Sequence, residues 1–194
     1  MDKTTLLWTN TIAIAIFLVA STGTRLQSAE QSTISPYAAQ LNSPVRGLST
    51  QEVDDLLKGR GMGYARVGEL NNYPGPRHVL DLQQKLNLSP AQVRQIEGVF
   101  QQMQANAQQL GQKIVEHEQQ LSTAFAAGEI DSTKLKLQTE ELSKLYSQLR
   151  VTHLQAHLQI KPLLKPDQIA AYNKLRGYTA TRGQSSPVQH PHHQ

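Results

Sequence analysis

The feature that most constrains this chain is a 3-4 alternation of apolar or small residues at Val93, Ile96, Phe100, Met103, Ala107, Leu110, Ile114, His117, Leu121 and Ala124. Kept across more than four heptads, that spacing draws one stripe along one long helix. Gly128-Glu129-Ile130-Asp131 then supplies a stop and a new cap. A second long helix is predicted over 132–160, with Leu135, Leu142, Leu145, Leu149 and Ala156 on one face and Pro162 just beyond its end. So short a link forces the two helices antiparallel, into a hairpin roughly 45 Å long at about 1.5 Å per residue. The expected fold class is therefore all-α, a long antiparallel helical hairpin with short flanking helices. With the turn centred between Gly128 and Ile130, Met103 falls near Ala156, and His117 falls opposite Leu142.

Composition says how such a hairpin must be held together. The chain has 194 residues, no cysteine and only 5% aromatic residues. Disulfides, thiol nucleophiles and cysteine-ligated zinc are excluded, and so few large side chains favour thin helical layers over a thick core. The net charge of +4 comes from scattered Lys and Arg, which reads as a solvated surface and not as a nucleic-acid footprint. An apolar run from Leu6 to Ala20 falls short of the ~20 residues that span a bilayer, so residues 1–29 read as a secretory signal cleaved near 23–29. An uncleaved anchor is the alternative. Residues 30–47 read as a flexible linker, 48–178 as the helical domain, and 179–194 as a disordered tail carrying His190, His192 and His193.

Smaller signals fill in the rest. Ser49-Thr50-Gln51-Glu52 is a capping box that opens a short helix ending at Gly59. Gly59-Arg60-Gly61-Met62-Gly63 follows a helix and lacks the ending of a phosphate loop, so its glycines point to close helix packing. Further helices are predicted over about 77–86 and 166–176. Leu88-Ser89-Pro90-Ala91-Gln92 and Leu164-Lys165-Pro166-Asp167-Gln168 are two copies of one helix-opening pattern: an N-cap, proline at the first helical position, and glutamine reaching back to the cap amide. Lys165 departs from it, because an ammonium cannot accept the amide bond.

These two pentapeptides, placed around a long hairpin behind an export signal, resemble the LTxxQ pattern of the Spy/CpxP family of periplasmic proteins, which includes metal-responsive relatives of the CnrX and ZraP type. The motif positions are Leu88, Ser89, Gln92, Leu164 and Gln168. The resemblance implies a thin, curved homodimer that shelters unfolded or misfolded periplasmic proteins without ATP. Candidate client-binding residues are Met62, Phe100, Met103, Leu110, Ile114 and Phe125, each of which also suits a helix core.

His153 and His157 lie one helical turn apart, a spacing that can chelate Zn, Ni, Co or Cu, with Met103 as a third ligand across the hairpin. They equally suit polar positions at a wet helix seam. His117 lies too far along the axis to join them within one subunit. No serine elbow or HExxH motif occurs, and the adjacent Glu140 and Glu141 point apart on a helix, so an enzyme is not expected. Three functions follow: a chaperone needing no cofactor, a periplasmic metal sensor or resistance protein, and an adaptor modulating a membrane sensor kinase.

Overall fold

The computed structural model describes residues 34–43 and 45–179. A 3-10 turn over Ala38–Asn42 precedes α1 (Thr50–Leu57), α2 (Arg66–Glu69), α3 (Pro76–Asp81), α4 (Pro90–Ala126) and α5 (Ser132–Ile160), and a 3-10 turn over Lys161–Leu163 leads to α6 (Pro166–Leu175). The described residues contain no strand, and none of their helices is long and apolar enough to cross a membrane. The expected signal segment and the histidines of the tail lie outside the described residues.

The hairpin forms for the reasons its sequence gives. Ser89 and Gln92 close a reciprocal capping box at the start of α4, with Pro90 in the first turn. At the far end Gly128 takes φ +68°, and the Glu129 amide donates back to the Ala124 carbonyl at 2.9 Å, closing the helix. The Asp131 carboxylate then accepts the Lys134 amide at 2.8 Å and opens α5. Met103 and Ala156 line one groove between the two helices, in agreement with the register read from the turn.

Two apolar clusters hold other segments on this hairpin. Val45, Leu48, Val53 and Leu56 pack on Ala107, Ile114, Leu142, Leu145 and Leu149 at its middle. Val79 and Leu86 join Ile96, Ile160, Leu164 and Tyr172 at its open end. The first cluster depends on a close approach: the α1 carbonyl of Leu56 lies 2.0 Å from where a Cβ on Gly111 would sit. Gly59 also packs closely, since a Cβ there would meet the Gln104 carbonyl at 2.8 Å.

Four expectations need correction. The core begins at Val45, which is 2% exposed, so the domain starts before residue 48 and the linker is shorter than expected. The helix predicted over 77–86 ends at Asp81 and continues as turns, and the Leu86 carbonyl is taken by Gln168 at 3.2 Å. Leu135 sits near the hairpin tip, out of reach of either cluster, and is exposed. The middle of the hairpin is covered by α1 and the segment before it, which buries Ile114, one of the expected client-binding residues.

Candidate functional site

The two motif glutamines meet. Gln92 Nε2 donates to the Leu163 carbonyl and to Gln168 Oε1, both at 2.8 Å, while Gln168 Nε2 donates to the Leu86 carbonyl at 3.2 Å and to Gln92 Oε1 at 3.3 Å. Each Oε1 also accepts its own cap amide, from Ser89 and from Lys165, at 2.9 Å. The pair thus starts two helices and joins them, with Leu88 and Leu164 packed in the cluster behind. Lys165 forms only half a capping box, as its lack of a lone pair requires. Replacing Gln168, which is 6% exposed, by alanine leaves the Leu86 carbonyl and the Lys165 amide without these partners. We expect a loss of about 2 kcal/mol in urea unfolding, and a Gln92→Ala, Gln168→Ala double-mutant cycle should show coupling.

A cavity of about 930 Å³ is bounded by the Gly59–Gly63 loop, α2, the start of α3, and residues of α4 and α5. Its apolar lining includes Met62, Leu70, Phe100 and Met103. Arg66, Arg77 and Arg176 stand round it, with Lys58 and Arg60 at one end and Glu69 as the sole carboxylate among the lining residues. Several of these cations are occupied: Lys58 and Arg60 pair with Asp54 at 2.6 and 2.8 Å, Arg60 also with Asp55, and Arg77 with Asp81 at 3.0 Å while lying over the Phe100 ring. The Arg66 side chain makes no hydrogen bond or ion pair among the described residues; its guanidinium lies against Gly63, which takes φ +77°. Glu69 accepts the Tyr172 hydroxyl with both oxygens, at 2.7 and 3.0 Å. Burial first, and that carboxylate second, push the Tyr172 phenol well above its ordinary range.

Both helix-face histidines line the cavity. His153 is 2% exposed, stacks on Tyr64 with ring centres 6.1 Å apart, and its Nε2 has no partner among the described residues. Burial, and after it the neighbouring His157, pull its pKa down to about 4. His157 Nδ1 lies 2.8 Å from the Tyr73 carbonyl. A carbonyl can only accept, so in the neutral ring the proton sits on Nδ1 and the lone pair on Nε2. The described residues contain no group of three His, Cys, Asp or Glu side chains placed to hold a metal ion.

The structure therefore gathers Met62, Phe100, Met103, His153 and His157 round one cavity and leaves the other candidates elsewhere. Ile114 is fully buried and Leu110 packs against the same cluster, because α1 covers that stretch of α4; Ile114 cannot face a client. Phe125 is 55% exposed at the hairpin tip, beside a separate hollow of about 430 Å³ with Arg46 and Glu118. Sequence reasoning missed Arg66, Arg77, Arg176 and Glu69, whose convergence depends on where α2, α3 and α6 dock. A family model described as LTXXQ motif family protein matches residues 76–176. No curated protein and no solved structure matches the chain.

Proposed function

The chain belongs to the LTXXQ motif family, and from that premise we propose that it is an exported, ATP-independent chaperone-like protein of the Spy/CpxP type, acting on unfolded or aggregation-prone periplasmic proteins. The observation that carries this reading is the cavity: an apolar lining with two methionines and a phenylalanine, ringed by arginines of which the Arg66 guanidinium has no hydrogen-bond or ion-pair partner among the described residues. Methionine and phenylalanine accept apolar groups of many shapes, since the thioether is flexible and polarizable. Cations at the rim attract acidic stretches of client and speed encounter without demanding one sequence. A volume of about 930 Å³ takes a few side chains, not a folded domain. Short-lived capture of extended segments follows, and association of two copies would set two such cavities in one particle. We propose a homodimer on that basis, to be checked by the mass in solution.

Light scattering of a refolding model client, with equimolar protein and no nucleotide, tests the reading. We expect aggregation to be suppressed by the native chain and not by Phe100→Asp, which places a carboxylate on the lining. Equal scattering with and without the native chain would remove the proposal.

A second reading, a periplasmic metal sensor or resistance protein, draws on the unpartnered Nε2 of His153 and the free lone pair on His157. With Met103 lining the same cavity, the donor set suits Zn, Ni, Co or Cu. Sub-micromolar binding by calorimetry, abolished in His153→Ala plus His157→Ala, would establish it.

A further inference from the structure

The chain contains three methionines and no cysteine. Met1 lies outside the described residues; Met62 and Met103, distant in sequence, line the same cavity. Both are half-buried, open enough to meet a small oxidant yet part of an apolar surface. Met62 is carried there by the glycine loop and holds a left-handed φ of +43°. Met103 sits at the seam of the hairpin, where it also lines a second groove beside Ala156. Every sulfur atom of the described residues is thus committed to one site. Oxidation of a thioether turns a flexible apolar side chain into a polar one with a strong acceptor oxygen.

We propose that the cavity is an oxidation-sensitive modification site, in which hydrogen peroxide converts Met62 and Met103 to sulfoxides and closes the cavity to apolar ligands. In each step the thioether sulfur attacks one peroxide oxygen. An S–O bond forms, the O–O bond breaks, sulfur gives up two electrons, and the peroxide leaves as water. Reversal needs a dithiol reductant, which takes the oxygen away as water and becomes a disulfide. The sulfoxide oxygens then occupy the space an apolar group would fill, and Arg66 offers an uncommitted donor on the same lining. The chemistry stands on the placement of the two thioethers alone; only its consequence for clients rests on the chaperone reading.

Anilinonaphthalene sulfonate, an anionic apolar dye matched to an arginine-ringed apolar cavity, is the probe for the full chain. We expect the untreated protein to bind it. After peroxide, peptide mass mapping should show one added oxygen on each of Met62 and Met103, with dye affinity lower by about tenfold, the scale of placing an unpaired polar group in an apolar site. Methionine sulfoxide reductase should restore binding, and Met62→Leu with Met103→Leu should bind the dye equally before and after peroxide. Unchanged affinity with both methionines converted overturns the proposal. So does failure of either methionine to react under peroxide that converts free methionine, or no dye binding at the start. Where the double variant lacks native helicity, Met103→Leu alone and the reductase reversal decide. Client aggregation followed in parallel separates the two readings: a dye response that switches with oxidation, without suppression of aggregation, removes the chaperone reading and leaves this one.

Discussion

Gly111→Ala is expected to destabilise the chain by about 3 kcal/mol or more, although alanine is the better helix former by ~1 kcal/mol. The added Cβ would lie 2.0 Å from the Leu56 carbonyl oxygen, 2.6 Å from its carbon and 3.2 Å from its Cα. All three are backbone atoms, so no rotamer change relieves the overlap; α1 must move as a body. Val53 and Leu56, 7% and 1% exposed, then lose their contacts with Ile114, Leu145 and Leu149. Burial of each is worth roughly 1.5–3 kcal/mol, which sets the scale of the loss. Gly98→Ala is the internal control, because no atom lies within 4 Å of its Cβ position in the same helix. It should stabilise by about 0.5–1 kcal/mol. Urea unfolding followed by circular dichroism compares the two, and equal stability of the variants would show that the crossing is looser than described.

The same glycine shows where the sequence stops being informative. The two long helices were legible because a 3.6-residue period survives over many turns, and their ends because Ser89, Gly128 and Asp131 carry local cap chemistry that needs no tertiary partner. The meeting of Met103, His153 and His157 followed from register alone, since a short turn fixes which residues face one another. Gly111 looks like a gap in the stripe between Leu110 and Ile114, and only Leu56, far upstream, makes sense of it. Periodicity tells which face of a helix is apolar but not which part of that face another segment will cover. Ile114 was read as available for that reason, and α1 took it. The arginine ring was illegible on the same grounds. Arg66, Arg77 and Arg176 belong to three short helices or their ends, whose docking depends on packing with Tyr172, Val79 and Leu86 instead of on any local repeat. The motif glutamines were legible as caps, but their bonds to each other join helix starts far apart in sequence.

Stability is expected to fall as the pH drops through the mildly acidic range, by about 2 kcal/mol at pH 5, and His153 is the cause. An unfolded chain binds a proton at this imidazole near its ordinary pKa of 6.5, whereas in the folded chain burial and the nearby His157 hold it down to about 4. Between those values the unfolded state binds more protons, so acid favours unfolding. The contribution is fully present above about pH 6.5, declines below it, and levels off near pH 4 at a total loss of about 3 kcal/mol. Structure gives the reason in contacts. The ring is stacked against Tyr64, its Nε2 meets no acceptor among the described residues, and no carboxylate acts on it to favour the charged form. His78 is lowered as well, chiefly by burial and then by Arg176, but at 43% side-chain exposure it adds only a minor slope. Urea midpoints at about pH 7.5, 6 and 5 should therefore fall steeply in the native chain and only slightly in His153→Leu, which keeps an apolar group of similar size against Tyr64. That window lies mostly above the range where carboxylates protonate, and the comparison with His153→Leu separates this imidazole from the other histidines. A His153→Leu chain with the full native slope would assign the acid sensitivity to another group and show that His153 is not held neutral in the cavity wall.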